Sequence, residues 1–240
     1  MQWATDGAKN GAIDAVIIDL DGTMVDTMGD FVVAINLMCG DLTLPATSGP
    51  LDAATVSRMV GKGSEHLVKS VLDHLQAQMQ NAPPAIDLQA HYDFAFDRYQ
   101  AHYAAVNGQH SALYPGVLEG LRGLHGAGLP LVCLTNKPVA FARELLARKG
   151  LDGFFGTVFG GDSFERKKPD PLPLLKTCEL LGTKPARTLM IGDSSNDAQA
   201  ARAAGCPVLL VTYGYNHGEP VQTVDADGLI DSLVQVRWPQ

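Results

Sequence analysis

The chain has 240 residues, 46% of them hydrophobic, and a formal net charge of −8 at pH 7. A chain of this length can bury a substantial core, and its acidic balance, without lysine or arginine blocks, argues against a nucleic-acid partner. Its longest apolar runs are far shorter than the roughly 20 residues of a membrane-spanning helix, and its first residues lack the layout of a signal peptide. We therefore expect a cytoplasmic protein without a membrane partner.

Five short β-rich runs predict the strands of a sheet, at residues 15–19, 129–135, 157–161, 188–193 and 207–214. Segments of helical length lie between the later runs, at 138–149, 171–182 and 195–204, and each has a glycine at or just past its end as a stop signal. Near-continuous apolar strands that alternate with helices are typical of a parallel sheet covered on both faces. The sequence therefore predicts an α/β fold with a Rossmann-like core.

A long interval between the first two strands breaks this alternation. It contains four further segments of helical length, at 29–39, 52–60, 64–80 and 87–106. Because a structureless loop of that length would be implausible in a compact domain, we expect an inserted α-helical cap domain at 28–109. The α/β core domain would then comprise 14–27 and 110–240, with a helix at 116–126 rejoining it, and residues 1–13 would form a flexible tail.

Two acidic residues, Asp19 and Asp21, end the first predicted strand. Residues two apart in an extended strand point to the same side, so both carboxylates can face one pocket. A single carboxylate exposed at a strand end would be ordinary, but two close carboxylates raise each other's pKa unless a cation is near. The pair therefore predicts a positively charged partner.

The second and third strands also lead into polar residues, and ligands of open α/β sheets gather at the carboxyl ends of the strands. Thr135 and Asn136 offer a hydroxyl and an amide for a phosphate, although capping of the next helix is at least as good an explanation of either residue alone. Lys168 precedes a proline that biases it out of the helix, which places an ammonium group just before that helix. The alternative for this lysine is a solvated surface position.

Two aspartates, Asp193 and Asp197, lie at and just after the end of the fourth predicted strand. Asp193 is the last residue of that predicted strand, and beside Asp19 and Asp21 it would complete a site of hard oxygen ligands suited to Mg²⁺. Asp197 lies three residues after Ser194, a spacing typical of a capping box, which could account for it in part.

Four motifs, taken together, resemble those of the haloacid dehalogenase superfamily, specifically its phosphatases with a helical cap inserted after the first motif. They are DLDGT at 19–23, TN at 135–136, KPDP at 168–171 and GDSSND at 192–197. The resemblance implies that Asp19 is a nucleophile that forms an aspartyl-phosphate and that Asp21 is the general acid and base. It also implies that Mg²⁺ is held by Asp19, the backbone carbonyl of Asp21, and Asp193.

The same resemblance implies that Lys168, Thr135 and Asn136 hold the phosphoryl oxygens, with Lys168 also neutralising charge near the nucleophile. Asp197 would have a supporting role. The dehalogenases of the superfamily lack an acid two residues after the nucleophile, so the presence of Asp21 favours phosphate chemistry.

Several stretches are most similar to the bacterial phosphoglycolate phosphatases of that superfamily: MVDT at 24–27, VGKG at 60–63, LYPGV at 113–117, LTNKP at 134–138 and TYGYN at 212–216. This similarity implies that the partner is a small phosphorylated metabolite, 2-phosphoglycolate, which the enzyme hydrolyses. We expect a monomer or homodimer, a choice that the sequence does not resolve. Lys62 would then pair with the substrate carboxylate, against the equal alternative of an exposed lysine in a helix-joining loop.

Three other functions stay open from the motifs. They are a phosphatase for another small sugar or amino-sugar phosphate, a phosphomutase, and a noncatalytic binding module. The complete set of Asp19, Asp21, Lys168 and Asp193 argues against the last of these. Physical reasoning from the sequence assigns no role to Tyr213, Tyr215 or Asn216.

Overall fold

The computed structural model describes residues 13–42, 49–79 and 87–236. All but the last residue of the predicted tail at 1–13 lies outside these ranges. The strands are β1 (Ala15–Ile18), β2 (Val25–Asp26), β3 (Ala112–Leu113), β4 (Leu131–Leu134), β5 (Thr157–Phe159), β6 (Thr188–Gly192), β7 (Val208–Val211) and β8 (Gly228–Ile230). Six of them form one parallel sheet in the order β5-β4-β1-β6-β7-β8, and β2 and β3 form a separate antiparallel pair.

The helices are α1 (Met28–Asp41), α2 (Ala53–Ser57), α3 (Ser64–Gln78), α4 (Tyr92–Val106), α5 (Val117–Gly126), α6 (Val139–Arg148), α7 (Leu172–Leu181) and α8 (Ser195–Ala204). Helices and parallel strands alternate from α5 to β7, so the predicted α/β fold is confirmed. The five predicted strands are all present, although each is shorter than expected. Strand β8 was missed, because its edge position leaves two of its three residues at least partly exposed and removes the apolar run that marks the others.

Strand β1 lies in the middle of the sheet, and all four of its residues are buried. Val16 and Ile18 face one apolar cluster, whereas Ile17 faces the other, which includes Met190 and Ala201. Because successive side chains of a strand point to opposite faces, both faces of the central strand must be apolar. This accounts for the uninterrupted apolar run before Asp19.

The first four helices pack around a separate apolar cluster, which includes Phe31, Ile35, Leu72 and Tyr99. Two linkers join these helices to the sheet, and their strands β2 and β3 pair with each other. The buried Asp30 carboxylate accepts hydrogen bonds from the backbone N–H groups of Gly108 (2.8 Å) and His110 (2.7 Å), which fastens the start of α1 to the second linker. The predicted cap boundaries at 28–109 stay a prediction. No helix among the described residues has the length and apolar character needed to cross a membrane.

Candidate active site

The carboxyl end of β1 presents two aspartates to a cavity between the helical cap and the sheet. Ile18 lies beside Cys133 of β4 and Ile191 of β6, so Asp19 emerges between the ends of two neighbouring strands. Asp19 and Asp21 both line the cavity, which has a volume of about 50 Å³. Since one water needs roughly 10–15 Å³ of such a cavity, the cavity suits a ligand of few atoms.

A buried lysine neutralises part of the charge at this strand end. The Nζ atom of Lys168 donates to Asp19 Oδ1 (2.7 Å), to Asp197 Oδ1 (2.6 Å) and to the carbonyl oxygen of Leu134 (2.8 Å). Burial alone would lower the pKa of this lysine, but the two carboxylates outweigh it and raise the pKa above the ordinary value. Lys168 is therefore a permanent cation, buried among anions rather than exposed at the surface.

Three carboxylates converge here closely enough to hold a metal ion. Asp19, Asp193 and Asp197 each offer an oxygen atom, and these atoms lie within 4.8 Å of one another. Gly22 has φ +85°, and a Cβ at its position would lie 2.4 Å from Asp193 Oδ2, so only glycine fits this turn beside the carboxylate. Ser194 forms a capping box with Asp197 at the start of α8, so the capping explanation of Asp197 holds together with its ion pair to the lysine.

The electrostatics of this cluster favour a further cation. Burial is the largest influence on Asp19 and raises its pKa to about 7, because the Lys168 charge only partly offsets burial and the neighbouring Asp197. Burial, followed by the charges of Asp197 and Asp19, raises the pKa of Asp193 well above its usual range. Carboxylate oxygens are the ligands that hard divalent cations prefer. The donor set therefore fits such an ion between Asp19 and Asp193, since the Asp197 oxygens already accept hydrogen bonds from Lys168 and Ser194.

Asp21 has its own lysine partner, which the sequence analysis missed. Asp21 Oδ1 accepts hydrogen bonds from Lys137 Nζ (2.7 Å) and Thr27 Oγ1 (2.8 Å). The Lys137 side chain is 3% exposed, and its ammonium lies 4.9 Å from the Phe31 ring centroid and 4.7 Å from that of Tyr103. Its position directly after the TN motif, at the carboxyl end of β4, was the signal that could have identified it.

Comparison with known proteins agrees with this geometry. Residues 13–205 match the model of the haloacid dehalogenase-like hydrolase family. The chain belongs to this family. The hydrolase is 44% identical to a phosphoglycolate phosphatase of Thiobacillus denitrificans, over 93% of each chain. It is 43% identical to the plasmid-encoded phosphoglycolate phosphatase of Cupriavidus necator, over 91% of this chain and 89% of that one.

A solved structure also resembles the hydrolase closely. The crystal structure of a predicted phosphoglycolate phosphatase from Haemophilus somnus aligns with a TM-score of 0.85 and 30% identity, over 93% of this chain and 96% of that one. The resemblance to the haloacid dehalogenase superfamily and to its phosphoglycolate phosphatases is thereby confirmed, and with it the expectation that the chain is an enzyme.

The TN motif of the hydrolase has a split role in the structure. Thr135 lines the cavity, and its Oγ1 accepts a hydrogen bond from the backbone N–H of Lys137 (3.2 Å). The Asn136 amide donates to the carbonyl oxygens of Gly61 (3.0 Å) and Lys168 (2.8 Å). Neither side chain caps α6. Asn136 therefore connects the VGKG loop of the cap to the loop before α7, which carries Lys168.

Lys62 is the predicted site residue that the structure does not bring to the cavity. Its neighbours Gly61 and Gly63 line the cavity, whereas Lys62 is exposed and lines a surface groove that it shares with Lys167. The VGKG loop contacts the core mainly through its backbone, since the Gly61 carbonyl also accepts a hydrogen bond from Asn196 Nδ2 (3.0 Å).

Tyr215 connects the Asp193 side of the cavity to the linker that carries β2. Its backbone N–H donates to Asp193 Oδ2 (2.7 Å), and its hydroxyl donates to Asp26 Oδ1 (2.9 Å). The same hydroxyl oxygen accepts a hydrogen bond from the backbone N–H of Thr27 (2.7 Å), whose side chain contacts Asp21. One residue thus fixes both the Asp193 carboxylate and the linker beside Asp21.

The neighbours of Tyr215 position the same loops. The Tyr213 hydroxyl donates to the carbonyl oxygen of Thr23 (2.9 Å), and Asn216 Oδ1 accepts a hydrogen bond from the backbone N–H of Ser195 (2.9 Å) at the start of α8. The TYGYN stretch therefore fixes the positions of the loops that follow β1, β2 and β6 around the cavity.

Proposed function

We propose that this hydrolase cleaves 2-phosphoglycolate to glycolate and inorganic phosphate. The observation that carries the proposal is the meeting of Asp19, Asp21, Lys168 and Asp193 around one small cavity. The substrate itself is inferred from the names of the relatives at 43% and 44% identity. Its few heavy atoms suit the size of the cavity.

The reaction would take two displacements at phosphorus. In the first, an Asp19 carboxylate oxygen attacks the phosphorus, the bond to the ester oxygen breaks, and Asp21 gives its proton to that leaving oxygen. In the second, a water molecule attacks the phosphorus of the aspartyl-phosphate, Asp21 takes a proton from the water, and the bond to Asp19 breaks. Both hydrogen bonds to Asp21 go to Oδ1, which leaves its second oxygen available for this proton.

Magnesium is the proposed cofactor, held by Asp19, Asp193 and the backbone carbonyl of Asp21. When bound, it would offset the negative charge of the nucleophile and of the phosphate. Lys168 would add a fixed positive charge beside Asp19, with Asp197 supporting the lysine. Thr135 would contribute its hydroxyl to the phosphoryl oxygens and Asn136 its backbone N–H, because the Asn136 side-chain amide already donates to Gly61 and Lys168. The expected cytoplasmic location and the monomeric or homodimeric state stay predictions.

The experiment is release of inorganic phosphate from a panel of small phosphomonoesters, each assayed with EDTA and with added MgCl₂. We expect Mg²⁺-dependent release with the highest kcat/KM for 2-phosphoglycolate. A clear preference for a sugar or amino-sugar phosphate would replace the proposed substrate. Turnover that requires a sugar bisphosphate would instead indicate a phosphomutase.

A further inference from the structure

We propose that Lys137 and Tyr103 form the subsite that recognises the carboxylate of the substrate. This inference rests on the proposed function, because it names the residues that would select a carboxylated leaving group. It replaces Lys62, which lies outside the cavity, in that role.

The first argument is charge. A carboxylate enclosed in a small cavity needs a cation, since burial of an unpaired charge is costly. Among the described residues that line the cavity, the lysines are Lys137 and Lys168. Lys168 is already bound by the carboxylates of Asp19 and Asp197. Lys137 has one carboxylate partner, Asp21, and its ammonium has three donor hydrogens.

The second argument is position relative to the reaction. Asp21 must face the leaving oxygen in order to protonate it, and Lys137 Nζ lies 2.7 Å from Asp21 Oδ1. In 2-phosphoglycolate the carboxylate carbon is two bonds from the leaving oxygen. A substrate aligned for proton transfer therefore carries its carboxylate next to the Lys137 ammonium, on the side away from Asp19.

The third argument is an unpartnered hydroxyl. Tyr103 lines the cavity and is 1% exposed, and no described residue forms a hydrogen bond with its hydroxyl. A buried hydroxyl without a partner is destabilising, and such groups are rare in folded proteins. The Tyr103 ring lies against Lys137 Nζ, so a substrate carboxylate in this corner could accept hydrogen bonds from both residues.

The surrounding side chains complete a pocket for a short leaving group. Phe31 stacks on Tyr103 with ring centroids 5.5 Å apart, and Phe141 meets Tyr103 edge-on at 5.3 Å. These rings exclude water, which strengthens the attraction between the ammonium and a carboxylate. They also leave little space beyond the carboxylate, so longer leaving groups would be disfavoured.

The test compares two substrates that differ in the leaving group: 2-phosphoglycolate and 2-hydroxyethyl phosphate, which has a hydroxymethyl group in place of the carboxylate. Lys137→Met keeps most of the side-chain length and removes the charge. We expect its kcat/KM for 2-phosphoglycolate to fall on the order of 10- to 100-fold more than that for 2-hydroxyethyl phosphate, mainly through KM. Equal losses for the two substrates would show that Lys137 only supports Asp21 and would overturn the proposal.

A binding readout separates recognition from proton transfer. 3-Phosphonopropionate has a methylene group in place of the bridging oxygen of 2-phosphoglycolate, and propylphosphonate lacks its carboxylate. We expect Lys137→Met to raise the inhibition constant of the first compound on the order of 10- to 100-fold and to leave that of the second nearly unchanged. Unchanged inhibition by both would contradict the inference.

Three further variants make the assignment specific. Tyr103→Phe keeps the ring against Lys137 and should lose selectivity on the order of 10-fold. If Lys137→Met fails to fold, Tyr103→Phe alone tests the subsite, and unchanged selectivity between the two substrates in Tyr103→Phe would refute it. Lys184→Met, at an exposed lysine before β6, should behave like wild type. A selective loss of kcat/KM for 2-phosphoglycolate in Lys62→Met but not in Lys137→Met would overturn the proposal and assign carboxylate recognition to Lys62.

The wild-type enzyme distinguishes failure of this inference from failure of the proposed function. Equal use of both substrates by wild type would refute 2-phosphoglycolate as the preferred substrate, and the subsite with it. A clear wild-type preference that survives in Lys137→Met and Tyr103→Phe would refute the subsite alone.

Discussion

Removal of the buried lysine tests whether the core of the site is held together by charge. Lys168→Met keeps most of the side-chain volume but leaves Asp19 and Asp197 without their shared cation. At an effective dielectric constant of about 20, each contact near 2.7 Å corresponds to roughly 6 kcal/mol of Coulomb attraction. Desolvation of the three charges offsets most of this attraction, so the expected net loss is about 3–5 kcal/mol.

Such a loss is large relative to the roughly 5–15 kcal/mol that stabilises a typical folded protein. For a chain of this size it corresponds to a fall in melting temperature of about 6–20 °C. The assay is thermal unfolding followed by circular dichroism at pH 7.5 in EDTA, so that bound metal does not compensate. The matched control is Lys167→Met, whose ion pair with Glu65 is partly exposed and should contribute no more than about 1 kcal/mol.

A double substitution shows whether the mechanism is the unpaired charge. Asp197→Asn in the Lys168→Met background removes one of the two unpaired carboxylates and should recover part of the lost stability. Asp197→Asn alone should be destabilising, because it removes the ion pair with Lys168. Phosphate release by Lys168→Met should fall at least about 100-fold. A loss below about 1 kcal/mol in the single variant, or purely additive effects in the double variant, would refute the reasoning.

Three other outcomes are expected. Asp19→Asn should retain the fold and lose at least about 100-fold in turnover, and a tenth of wild-type activity or more would contradict the nucleophile assignment. MgCl₂ at about 100 times its Kd should stabilise wild type by roughly 2.7 kcal/mol, a shift that Asp193→Asn should abolish; an equal shift in that variant would place the ion elsewhere. His217 Nδ1 contacts the Val60 carbonyl (2.9 Å), and burial lowers the pKa of His217 below its ordinary value of 6.5. As the pH falls, this histidine is therefore protonated at a higher pH in the unfolded state than in the folded state. Wild type should therefore lose stability between pH 7 and 5 more steeply than His217→Asn in a melting series, and parallel pH profiles would contradict that cause.

The part of the site built on strand ends could be predicted from the sequence. Parallel strands bring their carboxyl ends to one edge of the sheet, so a shared edge for Asp19 and Asp193 follows from their positions at strand ends, whereas the pairing of β1 with β6 required the structure. Lys168 lies in the loop between β5 and α7, so strand ends place it only on the same side of the sheet, and its bonds to Asp19 and Asp197 required the structure. These predictions depend on short, apolar, buried segments, which are the clearest signal in the sequence.

The contacts between cap and core could not be predicted in this way. Whether Lys62 or Lys137 reaches the cavity depends on how the helical cap sits over the sheet, and that position is set by nonlocal contacts such as the one from Asn136 to the Gly61 carbonyl. The same holds for Tyr215, whose partners lie 22 to 189 positions away in the chain. Strand β8 was missed for a local reason, since its partly exposed residues carry no apolar run.

The two buried lysines, Lys168 and Lys137, have different roles in the proposed reaction. Lys168 lies with Asp19, on the side where the proposed reaction attacks phosphorus, and its ammonium contacts come from the ends of β1 and β4 and from the first turn of α8, all in the core. Lys137 lies with Asp21, and aromatic rings of the cap, Phe31 and Tyr103, cover its other side. Substitution of Phe31 or Tyr103 should therefore change which leaving group the enzyme accepts. The contacts among Asp19, Lys168 and Asp197 should keep their geometry in such a variant. The costly buried charges of Asp19, Lys168 and Asp197 satisfy one another within the core, so their arrangement needs no contact from the cap.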